Sequence, residues 1–182
     1  LVPNASPYAI GKQEARYQAI RERIAETGMA VIYANTVGGQ DELIFDGGSF
    51  AMDRHGSLTA QGRHFEEALL MLEIQHGLRP VGERVAALSE EAAVYRALCL
   101  GVRDYIGKNR FPGVLLGLSG GIDSALTLAI AADALGADKV HAVMMPSPYT
   151  AQISLDDSRE MVKILGVHYD EFPIEGMFQS YL

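Results

Sequence analysis

The sequence predicts an α/β protein built in two parts, and three observations lead to this expectation. The second half of the chain alternates uninterrupted apolar stretches with amphipathic helical ones, which predicts a parallel sheet with crossover helices. The first half shows one helical stretch followed by short apolar stretches that paired glycines separate, a pattern typical of a strand meander. Between the halves, Pro80 and Gly82 interrupt a segment without clear periodicity.

Composition and charge place the chain among folded globular proteins and exclude several other classes. Of 182 residues, 48% are hydrophobic and 21% are charged, as in ordinary folded domains. The single cysteine, Cys99, excludes an internal disulfide, so a reducing, cytoplasmic setting is expected. Apolar stretches too short to span a membrane predict no membrane partner. The net charge of −8 argues against nucleic-acid binding, although a helix N-terminus can still hold a small anion.

The first half is expected to contain one helix and several strands. Apolar residues recur at helical spacing across residues 11–27, and Gly28 is expected to end the helix. The apolar face is assigned to Ala15, Ala19, Ile20 and Ile24. Strands are predicted at 29–35, 42–46 and 49–53, with a turn at 54–56. Residues 68–74 fit a strand or a helix by periodicity, and a strand is preferred because the segment follows the meander.

The domain boundaries are placed around the weakly patterned segment. Residues 77–88 are predicted to be a linker, which leaves residues 1–76 and 89–182 as the two parts of the chain. Ser89 is expected to cap the following helix, which the break at 111–113 ends. The apolar face of this helix is assigned to Ala92, Ala93, Leu98, Val102 and Ile106.

The second half is expected to alternate three strands with two helices. The strands are predicted at 114–118, 140–145 and 169–174. The helices are predicted at 123–135 and 155–165. Leu126, Ile130 and Ala134 are expected to form the buried stripe of the first of these helices.

The loop after the 114–118 strand has the composition of a phosphate site and reads Ser119-Gly120-Gly121-Ile122-Asp123-Ser124. Adjacent glycines allow a tight turn that points backbone N–H groups into one concavity, and the serines and helix N-terminus add donors. The loop fits neither a Walker sequence nor the dinucleotide fingerprint. Asp123 has the wrong charge to contact phosphate, so it is assigned to Mg²⁺ bridging the phosphates. The alternative is an ordinary glycine-rich turn in which Asp123 caps the helix.

The same loop resembles the signature of a known superfamily. The segment Gly117-Leu118-Ser119-Gly120-Gly121-Ile122-Asp123-Ser124 resembles that of the ATP pyrophosphatases, which cleave ATP between its α and β phosphates, and this implies that these residues bind ATP. Residues 145–147, 149–150 and 154–157 are similar to NAD synthetases in particular, although Ser158 stands where members of that family often have alanine. Ser154 and Asp157 also fit a capping box at a helix start.

A second resemblance covers the first half. Residues 4–8, Gly11-Lys12, Arg16, residues 38–42 and residues 45–50 resemble the nitrilase-like glutaminase domain. That domain precedes the synthetase domain in glutamine-dependent NAD synthetases, and the two resemblances cover nearly all of the chain in that order. They imply the C-terminal part of a nitrilase-like αββα sandwich, followed by the start of a parallel-sheet ATP pyrophosphatase domain of the adenine nucleotide α-hydrolase type. The chain is then expected to be an internal fragment.

The resemblance implies an enzyme with defined substrates. Glutamine-dependent NAD synthetases use ATP and Mg²⁺ to adenylate deamido-NAD with release of pyrophosphate, and ammonia from glutamine then displaces AMP. By resemblance, Ser6 and Lys12 bind the glutamine α-amino and α-carboxylate groups or shape their pocket. The glutaminase Glu, Lys and nucleophilic Cys are expected upstream, so this chain alone is expected to lack glutaminase activity. Cys99 is expected to be a buried small apolar residue, and the intact enzyme a homo-oligomer.

Two other functions are weighed against this one. Another pyrophosphatase-type amidotransferase, such as a GMP synthetase, would carry a different glutaminase domain from the nitrilase-like half predicted for this sequence. A noncatalytic nucleotide-binding module is the second alternative. Asp41, Glu42 and Asp46 are interpreted as solvated carboxylates of a glycine-rich connection rather than a metal cluster, and none of the five histidines is assigned a role.

Overall fold

The computed structural model describes residues 1–181 and divides the chain into two compact units. The first unit spans Leu1–Gly101 and the second Val102–Leu182. The predicted α/β class is confirmed, because the first unit combines a mixed sheet with helices and the second has a parallel sheet with helices. Among the described residues, no helix is long and apolar enough to cross a membrane.

The first unit is built on a four-stranded sheet and two hairpins. Its elements in chain order are β1 (Val2–Asn4), α1 (Lys12–Thr27), β2 (Val31–Asn35), β3 (Val37–Gln40), β4 (Leu43–Asp46), β5 (Phe50–Met52), β6 (Leu58–Gln61), β7 (Leu72–Gln75), β8 (Arg79–Gly82) and the first part of α2 (Glu90–Lys108), whose last turns belong to the second unit. The sheet has the order β1-β2-β5-β6, with β1 parallel to β2 and the other pairs antiparallel. The hairpins pair β3 with β4 and β7 with β8.

Helix α1 has the predicted extent, and two of the four predicted apolar positions are buried. Gly28 ends it in the left-handed conformation, and its N–H donates to the Ile24 carbonyl at 2.7 Å. The buried residues are Arg16, Ile20 and Ile24, spaced four apart, whereas the predicted apolar positions Ala15 and Ala19 are exposed. The isoleucines pack against three side chains of the sheet, Tyr33, Phe50 and Met52. The prediction is confirmed for Ile20 and Ile24 and wrong for the two alanines, because Arg16 lies on the buried face with the isoleucines.

The segment from residue 68 to 88 differs from the sequence expectation in two ways. The strand predicted at 68–74 is reduced to Leu72–Gln75, and Leu69 is 93% exposed. The segment 77–88, predicted to be a linker, contains β8, which pairs with β7 across a turn at Gly77 and Leu78. A two-stranded hairpin has open edges, so Pro80 can lie in β8 without breaking a ladder. The domain boundaries themselves stay a prediction.

Helix α2 begins where the sequence predicts, and its buried face agrees with the predicted one only in part. The Ala92 N–H donates to the Ser89 hydroxyl at 3.2 Å, which confirms the cap. The buried residues of α2 are Ala97 and Leu100, which pack with Phe65, while Leu98 is 47% exposed. Of the predicted face Ala92, Ala93, Leu98, Val102 and Ile106, Ala93 packs against this cluster, and the prediction is wrong for Leu98. Cys99 is half-buried.

The second unit has the predicted strand–helix alternation. It contains β9 (Val114–Gly117), α3 (Ile122–Leu135), a 3₁₀ turn (Ala137–Lys139), β10 (Val140–Met144), α4 (Gln152–Leu165), β11 (His168–Glu171) and α5 (Glu175–Ser180). Its sheet is parallel throughout, with β10 between β9 and β11. The short helix α5 was not predicted.

The core of the second unit lies between the parallel sheet and helices α3 and α4. It consists of Leu118, Leu128, Ala131, Val140, Ala142 and Val162. The buried stripe of α3 runs through Leu128 and Ala131, so the prediction of a stripe at Leu126, Ile130 and Ala134 is wrong, and Leu126 is 50% exposed. Helix α3 is apolar around most of its surface, and contact with β10 rather than sequence spacing selects the buried side.

Candidate functional site

The first candidate site is the phosphate loop, residues 118–124, at the carboxyl end of β9. Leu118 is buried in the core of the second unit, and its N–H donates to the Val143 carbonyl of β10 at 2.8 Å. From that anchored residue the chain turns outward, and Ser119, Gly121 and Asp123 are exposed. The loop thus lies on the sheet edge where α/β folds commonly bind ligands.

Gly120 lets this loop approach helix α4 closely. Its φ is +76°, a conformation that side chains strain, and a Cβ there would lie 2.5 Å from the Cα and carbonyl oxygen of Ser154. Gly121 differs, because its φ is −91° and its nearest contact would be the Ser119 hydroxyl at 3.4 Å. Only the first glycine of the pair is therefore required by the packing.

Two serine hydroxyls close the loop on itself. The Ser119 N–H donates to Ser124 Oγ at 3.2 Å, and the two hydroxyl oxygens lie 3.0 Å apart. The Ser124 hydroxyl in turn donates to the Gly121 carbonyl at 3.0 Å, and the Gly121 N–H donates to Ser119 Oγ at 3.3 Å. These bonds hold the loop in shape while its outer face stays open to solvent.

Helix α3 starts at Ile122 without a side-chain cap. Gly121 occupies the cap position in an extended conformation, so the alternative in which Asp123 caps the helix is wrong. Asp123 lies in the first turn and is exposed. The first N–H groups of a helix have no acceptor within it, and together with the dipole they attract anions. This helix end offers those groups beside the exposed loop.

Helix α4 is also positioned differently from the prediction. It begins at Gln152, and Ala151 at the cap position makes no side-chain hydrogen bond, so Ser154 and Asp157 do not form a capping box. The chain enters α4 through a turn in which the Ser147 N–H donates to the Thr150 hydroxyl at 2.9 Å. The turn starts the helix three residues early and leaves Ser154 within it, against the phosphate loop.

The second candidate site lies in the first unit and is organised by a buried ion pair. Arg16 of α1 donates from both terminal nitrogens to the Asp46 carboxylate, at 2.7 and 3.0 Å. Both side chains are almost fully buried, at 3% and 2% exposure. The interpretation of Asp46 as a solvated carboxylate is therefore wrong, whereas Asp41 and Glu42 are exposed as expected.

Arg16 also holds the segment that contains Ser6. Its Nε–H donates to the Ser6 hydroxyl at 3.1 Å, and a terminal nitrogen donates to the Ser6 carbonyl at 2.7 Å. Asn35 contacts the same residue, accepting from the Ser6 N–H at 2.8 Å and donating to its carbonyl at 3.1 Å. Ser6 is thus fixed at its backbone and its hydroxyl by two side chains.

His64 approaches Asp46 from the other side. Its Nδ1 lies 3.3 Å from the Asp46 carboxylate, and a Cβ on Gly48 would lie 2.4 Å from the His64 ring. Burial raises the pKa of Asp46, but hydrogen bonds from His64 and Arg16 and the Arg16 charge outweigh this and hold the pKa below 3.8. Asp46 is therefore ionised at neutral pH.

Lys12 borders a cavity of about 630 Å³ in the first unit. We call it the Lys12 cavity, and its polar wall includes Gln13, Asp46, Gln61 and His64. Lys12 lines this cavity, whereas Ser6 is not among the described residues that line it. Arg16 joins the two, because it contacts Ser6 and the cavity residue Asp46.

Sequence reasoning missed Arg16, Asp46, His64 and Asn35 as parts of this site. A signal for Arg16 was present, since it lies four and eight residues before Ile20 and Ile24 and so shares their helix face. Asp46 precedes two glycines, which indicated a turn but not a buried carboxylate. Within residues 1–181, no group of three or more potential metal ligands comes together.

Comparison with known families matches two successive parts of the chain. The carbon-nitrogen hydrolase family matches residues 7–82, and the NAD synthase family matches residues 94–182. The chain therefore joins part of a carbon-nitrogen hydrolase to part of an NAD synthase.

Individual relatives match nearly the whole chain. The glutamine-dependent NAD(+) synthetase of Rhodobacter capsulatus is 48% identical over 97% of this chain, and that of Acinetobacter baylyi is 46% identical over all of it. The solved glutamine-dependent NAD+ synthetase of Acinetobacter baumannii, in complex with adenosine diphosphate, matches with a TM-score of 0.92 and 43% identity. It is covered over 36% of its own length and covers 100% of this chain.

These matches show that the chain belongs to the glutamine-dependent NAD(+) synthetase family. The chain spans 33% and 34% of the length of the two curated relatives, about one third. The nitrilase-like resemblance and the ATP pyrophosphatase resemblance of the sequence are both confirmed at the level of the family.

We predict that Gly120→Ala destabilises the second unit and that Gly121→Ala does not. A side chain at Gly120 would overlap with the backbone of Ser154. It would also be strained by the left-handed backbone conformation, which costs about 1–3 kcal/mol. The matched change at Gly121 should stay within about 0.5 kcal/mol. Denaturant unfolding of both variants measures the difference, and equal destabilisation would contradict the proposed packing requirement.

We also predict a pH dependence of stability that originates at Asp46. Its folded pKa is lowered, so its stabilisation is complete above the ordinary value of 3.8 and is lost as the pH falls through the folded value. Asp46→Asn should cost about 3–5 kcal/mol at neutral pH, because Arg16 is left buried without its charged partner. The variant should also lose less stability than the original chain as the pH falls below the ordinary value of 3.8.

Urea unfolding across that pH range tests the prediction. Asp41→Asn is the matched control, because Asp41 is exposed and its left-handed backbone also suits asparagine. The control should unfold with the pH profile of the original chain. Parallel profiles for Asp46→Asn and the original chain would refute the assignment.

Proposed function

We propose that the whole protein converts deamido-NAD to NAD with ATP and glutamine-derived ammonia, releasing AMP and pyrophosphate. The observation that carries this proposal is the join of a carbon-nitrogen hydrolase part to an NAD synthase part in one chain. The first type of domain would supply ammonia, and the second would activate and amidate a carboxylate. We assign residues 1–76 to the glutaminase part and residues 89–182 to the synthetase part.

The phosphate loop is proposed to hold the ATP phosphates. A carboxylate is a poor electrophile, and joining it to AMP converts one of its oxygens into a good leaving group. Developing charge on the departing pyrophosphate needs fixed donors. The residues Gly117, Leu118, Ser119, Gly120, Gly121, Ile122, Asp123 and Ser124 are assigned this role, and the uncapped N-terminus of α3 supports it.

Asp123 is proposed to hold Mg²⁺ beside the phosphates. Mg²⁺ keeps several waters and usually takes one or two carboxylates together with phosphate oxygens, so a single exposed carboxylate at the loop fits the ion. The ion would neutralise charge on the phosphates as the bond between the α and β phosphates breaks. The adenosine diphosphate complex of the Acinetobacter baumannii relative supports nucleotide binding by the family.

Ser6 and Lys12 are proposed to bind the glutamine α-amino and α-carboxylate groups or to shape their pocket. Lys12 contributes a positive charge to a cavity of about 630 Å³ whose wall also holds carboxylate groups, which suits a zwitterionic amino acid. Ser6 is proposed to act from a rigid segment, since Arg16 and Asn35 hold it.

Asp123→Asn in the whole protein should lower the rate of NAD formation about 100-fold or more while glutamine hydrolysis is largely retained. The amide keeps the shape of the side chain but loses the charge that holds Mg²⁺, and metal stabilisation of the transition state is worth several kcal/mol. The measurements are NAD formation with ammonium as nitrogen donor and glutamate release from glutamine.

Asp138→Asn serves as the control for this experiment, because Asp138 is an exposed carboxylate in the 3₁₀ turn after α3. Its NAD formation should match that of the original protein. Near-normal NAD formation by the Asp123→Asn variant would contradict the assignment of Asp123 to Mg²⁺. No ATP- and deamido-NAD-dependent pyrophosphate release from the original protein would favour a noncatalytic nucleotide-binding module.

Lys12→Ala should raise the glutamine KM about 10- to 100-fold and leave ammonium-driven NAD formation nearly unchanged. A hydrogen bond to a charged group contributes about 1.5–3 kcal/mol, and free ammonium bypasses the glutamine site. Arg23→Ala on the exposed side of α1 is the matched control and should change neither reaction. Equal loss with both nitrogen donors would indicate a folding defect instead.

A further inference from the structure

We propose that Arg16 is a positioning residue that aims the Ser6 hydroxyl at an acceptor oxygen of the bound amino acid, a carboxylate oxygen in the case of glutamine. The inference rests on the proposed function, since it assigns a role to the same site. It adds Arg16, which is buried in α1 and is not among the described residues that line the Lys12 cavity.

The hydrogen bonds of Arg16 account for all of its donors. One terminal nitrogen donates to Asp46 and to Gln13, at 3.0 and 2.9 Å, and the other donates to Asp46 and to the Ser6 carbonyl, both at 2.7 Å. The remaining donor is Nε–H, which points at the Ser6 hydroxyl at 3.1 Å. A guanidinium has five N–H donors in a fixed plane, so the pair with Asp46 sets the direction of the bond to Ser6.

The bond to Arg16 decides what the Ser6 hydroxyl offers a ligand. An Nε–H group can only donate, so the Ser6 oxygen accepts in this bond and keeps its own proton. Among the described residues, Arg16 and Asn35 hydrogen-bond only the Ser6 oxygen atoms and backbone N–H, so neither accepts that proton. A carboxylate oxygen is the acceptor that an amino-acid substrate supplies, and the bond to it is charge-assisted.

The backbone of Ser6 is held independently of Arg16. Asn35 pairs with its N–H and carbonyl, so a change at Arg16 should disturb the hydroxyl more than the chain path. This separation makes the positioning role testable. Lysine at position 16 would keep a positive charge near Asp46, but it has no planar fork and no Nε–H donor aimed at Ser6.

The test measures glutamine-dependent and ammonium-dependent NAD formation in the whole protein. Arg16→Lys should raise the glutamine KM about 10-fold and leave ammonium-driven kcat within about twofold. Ser6→Ala should produce a similar rise. In the double variant Arg16→Lys, Ser6→Ala the KM should not rise beyond that of Ser6→Ala, because Arg16 then has no hydroxyl to orient.

Two further variants separate positioning from stability. Ile24→Ala removes a core side chain from the same helix and should lower the unfolding temperature without changing the glutamine KM. Should Arg16→Lys fail to fold, the pair Arg16→Met, Asp46→Leu replaces both buried charges by apolar groups, which commonly preserves stability. That pair should still raise the glutamine KM, and adding Ser6→Ala to it should raise the KM no further, which separates the loss of Ser6 positioning from the change at the cavity residue Asp46.

The outcomes distinguish this inference from the proposed function. An original protein without glutamine-dependent NAD formation would overturn both. The second outcome is an active original protein whose glutamine KM is changed neither by Arg16→Lys nor, if that variant does not fold, by the pair Arg16→Met, Asp46→Leu. This outcome would overturn only the positioning role. Independent, multiplicative effects of Arg16→Lys and Ser6→Ala on KM would also overturn it, since Arg16 would then act by another route.

Discussion

The buried pair of Arg16 and Asp46 is the interaction on which the organisation of the first unit depends. It joins helix α1 to the end of strand β4, and Arg16 extends it to the segment of Ser6. The Asp46 carbonyl also accepts from the Phe65 N–H at 2.9 Å, so the same residue anchors the chain that follows β6. Two charges buried together are stable only when their hydrogen bonds are satisfied, and here the arginine has an acceptor for every donor. The geometry around the pair is therefore narrowly defined.

The second unit is organised by packing between backbone segments instead of charge. The phosphate loop can lie against α4 because Gly120 has no side chain, and it can leave β9 in the correct direction because Leu118 is fixed in the core. Its serines then close the remaining hydrogen bonds locally. The loop shape is thus a property of the parallel sheet and its helices, while the exposed donors at the start of α3 remain available to a ligand.

The sequence predicted more of the fold than of the candidate sites. Strand–helix alternation identified the parallel sheet, and the phosphate loop was found because its glycines and serines are contiguous. The buried faces of α1 and α2 were predicted only in part and that of α3 was predicted wrongly, because these helices present several apolar stripes and tertiary contacts determine which one is buried. The ion pair was missed for a different reason. Arg16 and Asp46 are thirty positions apart, and nothing local in either segment indicates that they meet.

The contact between Asn35 and Ser6 has a consequence for how the chain tolerates change. Strands β1 and β2 are parallel and in register, with Asn4 opposite Asn35, and the Asn35 side chain continues this pairing past the last rung of the ladder. A deletion or insertion of one residue in β1 would shift that rung and turn alternate side chains to the opposite face. The length of β1 and of Ala5, the one residue that joins it to Ser6, is therefore constrained even though these side chains are exposed, and length variation among homologous chains should fall elsewhere.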